Sequence, residues 1–198
     1  MAVAFSGDGL HWSKPISCPL IEARGDTHNN AFWYERSGKY VAFTRLSLPD
    51  SQGRVQRTVG RTESADFIRW TKAEPVLQGN PEHQTYAMPV FPYHHGYLGL
   101  VMIFHTVENT VDCELAFSRD TIHWQRVAQG SALIPRGPEG SHDHGCIFAA
   151  AYPIARPEGV TLFYGGNDQG HNGHARASSA ARKCVMTAMR VSAAPEHF

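Results

Sequence analysis

The sequence has no excess of charge of either sign and no long hydrophobic run. Its 198 residues contain 18 Lys and Arg against 18 Asp and Glu, so the formal net charge at pH 7 is zero. These charges are scattered along the chain and form no basic stripe, so no nucleic-acid partner is expected. The longest apolar run, Tyr97 to Phe104, is far too short to cross a bilayer, and no membrane partner is expected either.

Cysteine is scarce and several motifs of enzymes are missing. The four cysteines lie far apart and form no Cys-x-x-Cys pair (Cys18, Cys113, Cys146 and Cys184), which argues against a disulfide framework. The N-terminus lacks a charged leader followed by an apolar stretch, so no signal peptide is expected and the cytoplasm is the default location. There is also no phosphate-binding glycine loop, serine nucleophile elbow or Cys–His pair.

Helical periodicity is missing as well. No stretch combines a helical spacing of apolar residues with capping residues, and the nearest, Ala175 to Arg182, is short and polar, which favours a loop. The 18 Gly and 12 Pro, together with 4 Trp, 7 Tyr and 10 Phe, favour many short strands joined by turns. The sequence therefore predicts an all-β protein.

The pattern Ser-x-Asp-x-x-x-Trp occurs three times in the chain. The copies are Ser6/Asp8/Trp12, Ser64/Asp66/Trp70 and Ser118/Asp120/Trp124. A repeat of roughly 55 residues is typical of stacked supersecondary units. The Ser and Asp side chains are expected to bind nearby backbone amides and hold a hairpin turn. Each Trp is expected to be largely buried and to anchor the outermost strand.

Strand signals fall in groups of three or four between these turns, and each group predicts an antiparallel meander of about four strands. That meander is the blade of a β-propeller. The predicted innermost strands begin near Asp26, Tyr86 and Gly145. The predicted units of this single propeller-like domain are the tail of a preceding blade at 1–20 and three blades at 21–78, 79–135 and 136–198.

Several short motifs, in this order and spacing, resemble a known group of proteins. They are Asp26-Thr27-His28-Asn29-Asn30, Arg61-x-Glu63-Ser64-x-Asp66, Tyr86-Ala87-Met88-Pro89-Val90 and Gly140-Ser141-His142-Asp143. Together they resemble the C-terminal three blades of the five-bladed propellers of glycoside hydrolase families 32 and 43 and their uncharacterised relatives. The resemblance implies a carbohydrate ligand and action on a glycosidic bond. The first two blades, which supply the catalytic nucleophile or base in characterised members, have no counterpart here.

Glycoside hydrolysis uses two carboxylates about 5 to 9 Å apart, one protonated and one ionised. Asp26 and Asp143 both open predicted innermost strands, beside the channel where propellers bind ligands, so they are the acid and base candidates. Capping of a turn or strand is the alternative role for both. Glu114, in the third strand of its blade, is the third candidate, and a structural, outward-facing carboxylate is its alternative.

Other polar side chains near these strand openings are candidates for sugar contacts, namely His28, Asn29, Arg45, Gln84, Tyr86 and His142. Arg45 either holds sugar hydroxyls or forms a structural ion pair. His142 and His144 lie on the same side of an extended segment, which suits a divalent metal, and no other cofactor is expected. The loop that carries His171 and His174 either covers the channel mouth or is solvated.

These features support two interpretations of different class. The first is a carbohydrate-processing protein of the glycoside hydrolase type, and the second is a non-catalytic carbohydrate-binding or assembly module. A third, metal-binding interpretation depends on His142 and His144. Because closed propellers have four to eight blades and three blades leave open edges, a homodimer that completes the ring is also expected.

Overall fold

The computed structural model describes residues 2–16, 28–157, 159–172 and 185–192. Within these ranges the chain forms thirteen strands and no helix, which confirms the all-β prediction. Accordingly, these ranges contain no helix of the length and apolar character that would cross a membrane. Features named above that lie outside the described residues are Cys18, Asp26, Thr27, His174, Cys184 and the segment Ala175 to Arg182.

The first blade is a four-stranded antiparallel sheet whose strands follow each other in sequence order. Its strands are β1 (Asn30–Tyr34), β2 (Lys39–Pro49), β3 (Val55–Ser64) and β4 (Glu74–Gln78). Alternation along β2 places Val41 and Phe43 in one apolar cluster and Ala42 in another. The fourth strand begins at Glu74, beyond Trp70. Trp70 itself still belongs to the turn, where its indole N–H donates to the carbonyl of Phe67.

The second blade repeats this order around a broken innermost strand. Its strands are β5 (His83–Ala87), β6 (Val90–Tyr93), β7 (Gly96–His105), β8 (Thr110–Ser118) and β9 (Trp124–Arg126). Both β5 and β6 pair with β7, and the register shifts between Thr85 and Ala87. Pro89 has no N–H to donate to a ladder, and it lies in the break between β5 and β6.

The third blade has the same kind of broken innermost strand. Its strands are β10 (Cys146–Ala149), β11 (Ile154–Arg156), β12 (Gly159–Asn167) and β13 (Val185–Ser192). Strands β10 and β11 pair with opposite ends of β12, and β13 pairs along it. One parallel bridge, between Cys146 and Val111, joins β10 to β8 of the second blade. All other pairings between the described strands are antiparallel, as the meander prediction requires.

Apolar clusters fill the spaces between neighbouring blades. The cluster between the first and second blades includes Val41, Phe43, Val59, Val90, Val101 and Ile103. The cluster between the second and third includes Leu100, Cys113, Ile147 and Leu162. Asn30 also fastens the first blade to the second, because its buried side-chain amide donates to the carbonyl of Val90 (2.7 Å) and accepts from the amide of Val90 (3.1 Å).

The three repeated turns have nearly the same hydrogen bonds. In each, the Oδ1 atom of the aspartate accepts from the backbone amides two and three residues later, at 2.7–2.9 Å. The backbone amides of Arg69 and Ile68, for example, hold the pKa of Asp66 well below its usual range. The predicted turn-forming role of Asp8, Asp66 and Asp120 therefore holds in every copy.

The tryptophans of these turns differ in burial. The prediction that all three are largely buried is wrong for Trp12, which is 62% exposed. Trp70 and Trp124 are partly buried, and the Trp124 ring packs edge to face on Phe43 with centroids 5.7 Å apart. The turn is closed by local bonds, among them one from each indole N–H to the carbonyl three residues earlier. Burial of the indole depends on other strands that cover it, and the turn motif alone does not supply them.

We expect Trp124→Ala to lower the free energy of unfolding by about 3 kcal/mol, the lower end of the range for a large core aromatic. Trp12→Ala serves as the matched control in the same turn motif and should change it by less than about 0.5 kcal/mol, because an exposed side chain loses little packing. Urea unfolding of both variants provides the measurement. Equal losses for the two would contradict the difference in packing described here.

Candidate functional site

The innermost strands β1, β5 and β10 begin at the same end of the blades, which we call the channel end. Their antiparallel partners end there too: His83 of β5 lies opposite His105 of β7, and Cys146 of β10 lies opposite Asn167 of β12. The segments that precede or open the innermost strands therefore meet at this end. All sequence-predicted site residues except Glu114 belong to the channel end or lie outside the described residues.

A group of rings and cations that we call the aromatic–cation cluster occupies the channel end. It consists of His28, Arg45, Arg57, Tyr86, Phe104, Phe148 and His171. The buried ring of Tyr86 lies at its middle. The guanidinium carbons of Arg45 and Arg57 lie 5.0 and 5.5 Å from the centre of that ring, within the range of a cation–π contact.

Histidines from two separate segments complete this cluster. The His28 ring stacks on Phe148 at a centroid distance of 5.6 Å. The His171 ring lies 4.9 Å from that of Tyr86 and 4.5 Å from that of Phe104. In the part that the structure describes, the loop that carries His171 therefore lies over the channel end. Of the two expectations for this loop, covering the channel mouth or full solvation, the first fits the position of His171.

Local bonds position the members of the cluster. His28 has a φ of 55°, in the left-handed region, directly before β1. The next residue, Asn29, accepts a hydrogen bond from the Thr44 hydroxyl through its side-chain oxygen (2.7 Å). Gln84 accepts from the backbone amide of Arg57 (3.2 Å) and from its guanidinium (3.3 Å). Gln84 thus orients a cation that the sequence analysis did not single out.

Asp143 lies just before β10 and is buried, with 8% of its surface exposed. Its two carboxylate oxygens accept hydrogen bonds from the Ser141 hydroxyl (2.7 Å) and from the Tyr164 hydroxyl (3.0 Å). Burial raises the pKa of Asp143, but these two bonds, together with the nearby His142 and a backbone hydrogen bond, outweigh burial and hold the pKa below its ordinary value. The group is therefore an ionised carboxylate near neutral pH, even though little water reaches it.

Two glycines allow the backbone to approach this carboxylate. A Cβ atom at Gly137 would lie 2.2 Å from Oδ1 of Asp143, and one at Gly166 would lie 2.7 Å from its Cβ atom. No larger residue fits at either position without displacing Asp143. Glycine at these two positions, one in the preceding loop and one in β12, is a local requirement of the Asp143 site.

The two predicted metal ligands flank Asp143. The Nε2 atom of His142 lies 3.9 Å from Oδ2 of Asp143, and the backbone carbonyl of His144 accepts from Arg136 (2.9 Å). In the part of the chain that the structure describes, no three His, Cys, Asp or Glu side chains form a group able to hold a metal ion. His142 is thus next to the candidate carboxylate.

Glu114 lies away from the channel end, within β8 next to the outermost strand β9. It is 3% exposed, and its two oxygens accept from Nη2 (2.5 Å) and Nε (2.6 Å) of Arg126. The amide of Gly130 donates to it as well (3.0 Å). A bidentate pair with a backbone donor is typical of a structural carboxylate, which is the alternative role considered from the sequence.

A further ionisable group near the channel end was not predicted from the sequence. His105, at the end of β7, contacts Asp112 of β8 (Nε2 to Oδ2, 2.8 Å), and its ring lies 5.1 Å from that of His83. The hydrogen bond with Asp112 raises the pKa of His105 despite its partial burial. A histidine and a carboxylate on neighbouring strands carry no sequence motif, so only the strand register identifies them.

The structure brings together only part of the predicted site. His28, Arg45 and Tyr86 lie in one cluster, and Gln84 contacts it through Arg57. The residues that the sequence analysis missed are Arg57, Phe104, Phe148 and Tyr164. They lie inside strands of different blades, and a run of apolar or alternating residues gives no sign of which ring will face a channel.

Neither a protein-family model nor a curated protein sequence matches this chain. Solved structures do match it. A protein described as a glycoside hydrolase superposes with a TM-score of 0.70 at 15% identity, over 100% of this chain and 59% of its own. The GH32 beta-fructofuranosidase of Bombyx mori has a TM-score of 0.54 at 13% identity, over 83% of this chain and 33% of its own.

A third similar structure has another activity in its name. The beta-1,2-mannobiose phosphorylase of Listeria innocua matches with a TM-score of 0.55 at 20% identity, over 84% of this chain and 45% of its own. This chain therefore spans between about a third and three fifths of the length of these three proteins, 33% to 59%. At these identities the likeness is one of fold, and it confirms the predicted partial propeller, which resembles in fold the propellers of glycoside hydrolases.

Proposed function

We propose that this chain is a carbohydrate-processing protein of the glycoside hydrolase type, which acts on a glycosidic bond with paired carboxylates. The observation that carries the proposal is Asp143, a buried carboxylate with a lowered pKa at the channel end. The propellers that this chain resembles include a glycoside hydrolase and a beta-fructofuranosidase. A buried, ionised carboxylate at the opening of an innermost strand suits the base or nucleophile of such a reaction.

The second carboxylate of the proposed pair is Asp26, which opens the first blade in the sequence. In this assignment Asp143 is the ionised member, because its bonds with Ser141 and Tyr164 favour the charged form. Asp26 is then the protonated member that assists departure of the leaving group. Glu114 stays the third candidate, and its contacts with Arg126 favour a structural role.

The proposed sugar contacts are the polar and aromatic side chains of the channel end. The His28 ring offers a flat face to the C–H groups of a sugar, and Arg45, Asn29, Gln84, His142 and the hydroxyl of Tyr86 offer hydrogen-bonding groups. His142, next to Asp143, suits a hydroxyl close to the scissile bond. A divalent metal on His142 and His144 stays a hypothesis without a third ligand among the described residues.

The alternative function is a non-catalytic carbohydrate-binding or assembly module. One observation favours it: both oxygens of Asp143 already accept hydrogen bonds from protein hydroxyls, as in a carboxylate that supports a scaffold. In that case the channel end would hold a sugar without cleaving it. The two functions therefore differ in whether the bound ligand is cleaved, which would release new reducing ends.

The test is a panel of neutral oligosaccharides and chromogenic glycosides incubated with the intact chain. Released reducing ends or chromophore would report cleavage, and isothermal titration calorimetry on the same oligosaccharides would report binding. We expect both cleavage and binding for at least one member of the panel. Binding without cleavage would favour the alternative module, whereas neither binding nor cleavage would contradict the carbohydrate function altogether.

We also propose that two copies of the chain assemble as a homodimer, with the unit boundaries at 21–78, 79–135 and 136–198. Three blades are fewer than the four to eight of closed propellers, and a blade without a neighbour exposes edge strands. A two-fold dimer is the commonest way to cover such surfaces. Light scattering at micromolar concentration should give twice the mass of the 21.9 kDa chain. A stable monomer would contradict the proposal.

A further inference from the structure

A groove of about 630 Å³ lies at the end of the blades opposite the channel end, and we call it the turn-end groove. Its lining includes Arg36, Tyr93, His94, His95, Phe117 and Arg119. These residues come from the turn after β1, the turn between β6 and β7, and the end of β8. The groove therefore spans the first and second blades, and none of its residues belongs to the proposed hydrolytic site.

The charge of the turn-end groove is positive. Arg36 and Arg119 are both exposed, and among the described residues neither forms an ion pair with a carboxylate. Arg36 donates to the backbone carbonyl of Arg119 (2.8 Å), which holds the Arg36 side chain beside the backbone of Arg119. The neighbouring Asp120 carboxylate is occupied by its own turn and by His123. The described residues that line the groove include no acid.

Two exposed rings stand beside these cations. Tyr93 is 39% and Phe117 is 37% exposed, so part of each ring is open to solvent beside the groove. Gly96 allows the Phe117 ring to pack directly against its backbone, because a Cβ atom at Gly96 would lie 2.5 Å from that ring. The His94 ring lies edge-on to Tyr93 at 4.5 Å, from a backbone with a φ of 47°.

We propose that the turn-end groove binds a uronic acid residue of an acidic oligosaccharide. An arginine fork pairs with a planar carboxylate through two parallel hydrogen bonds, and Arg119 has the freedom to form it. A pyranose ring can then lie with its C–H groups against Phe117 or Tyr93, and the imidazoles of His94 and His95 suit its hydroxyls. The choice of a sugar as the carrier of the charge rests on the proposed function.

This second site would hold a chain of sugars without cleaving it, since none of the described residues that line it is a carboxylate able to act as acid or base. An acidic polysaccharide anchored there would raise the concentration of substrate near the protein, as a linked pair of sites does. We expect the groove to prefer the carboxylate over its neutral ester. A neutral group cannot compensate for the water that the two arginines lose on binding, whereas a charged group can.

The test is calorimetric titration of the intact protein with tetragalacturonic acid and with its fully methyl-esterified form, at low salt. We expect the acid to bind and the ester to bind at least ~10-fold more weakly, a difference of about 1.4 kcal/mol. Arg119→Gln should weaken binding of the acid about tenfold as well. This variant keeps the backbone carbonyl that holds Arg36. Phe117→Ala should weaken both forms.

The matched control is Arg69→Gln, which removes the same charge from the equivalent turn of the first blade and should leave binding unchanged. Equal affinity of wild type and Arg119→Gln, no binding of the acid by wild type, or equal binding of acid and ester would each overturn the proposal. Tighter binding of a sulfated tetrasaccharide than of the uronic acid would overturn the assignment to a carboxylate.

Variants at the channel end separate this inference from the proposed function. Asp143→Asn should leave the affinity for tetragalacturonic acid within about twofold of wild type, whereas Arg119→Gln should leave cleavage of a short neutral substrate intact. If the neutral panel shows no cleavage and Arg119→Gln still weakens the acid, the proposed function fails and the turn-end groove stands. If cleavage is present and Arg119 has no effect, only the turn-end groove fails.

Discussion

Asp143→Asn is expected to lower turnover of a cleaved oligosaccharide by roughly 10²- to 10⁴-fold, the range for loss of a general acid or base. Asn keeps the shape of the side chain, and the Ser141 and Tyr164 hydroxyls can still bond to its amide, so the fold should survive. What disappears is the negative charge at a buried position. Initial rates on the best substrate of the panel, with circular dichroism as a check on folding, provide the measurement.

The matched control for Asp143→Asn is Glu74→Gln, which removes a carboxylate from an exposed position at the start of β4. Turnover of Glu74→Gln should stay within about twofold of wild type. Asp26→Asn should show a loss similar to that of Asp143→Asn if the two form a pair. Full turnover in Asp143→Asn would show that the reaction takes place at another site. Full turnover in Asp26→Asn would show that Asp26 is not a member of the catalytic pair.

The pH dependence follows from the sign of the pKa shift. Because the folded-state pKa of Asp143 is lowered, the carboxylate stays charged at pH values where an ordinary aspartate begins to protonate. Its contribution to stability is present above the unfolded pKa and is lost as the pH falls through the folded pKa. The acid limb of the turnover profile should accordingly lie below the ordinary aspartate value, and it should be missing from any residual activity of Asp143→Asn.

The fold could be predicted because the information for it is local and repeated. The turn of Ser118, Asp120 and Trp124 is closed by bonds within six residues, and the same bonds recur at Ser64 and at Ser6. Equal spacing of such turns fixes the length of each meander, and alternation fixes which face packs. Burial of the tryptophans could not be read from the same motif, because it depends on what other strands cover each turn.

The candidate site could be predicted mainly where a polar residue lies at or near the beginning of an innermost strand. His28 and Asp143 lie shortly before β1 and β10 and Tyr86 lies in the short strand β5, whereas Phe104 lies inside β7 of the same blade and Arg57 reaches Tyr86 from inside β3 of the first blade. The separation of such pairs in the sequence is set by packing between blades, for which the chain carries no local signal. The same reason explains why the pairing of Glu114 with Arg126 emerges only from the register of β8 and β9.

Glu114→Gln is expected to lower the free energy of unfolding by about 3 to 5 kcal/mol, the range for a buried ion pair that loses one partner. The side chains of Glu114 and Arg126 are only 4% and 9% exposed, so the guanidinium would remain buried without a counter-charge. Urea unfolding at neutral pH gives the measurement. The matched control is Arg54→Gln, which breaks the more exposed pair with Asp50 and should cost less than about 1 kcal/mol.

The double variant Glu114→Met with Arg126→Met separates charge from packing. Two apolar side chains of similar volume remove both charges at once, so much of the loss should be recovered, apart from the amide of Gly130 that then lacks its acceptor. Recovery would identify Glu114 as a structural carboxylate. If Glu114→Gln instead unfolds like the Arg54→Gln control and loses turnover, a purely structural role of Glu114 is contradicted, and Glu114 becomes a candidate for a role in the reaction.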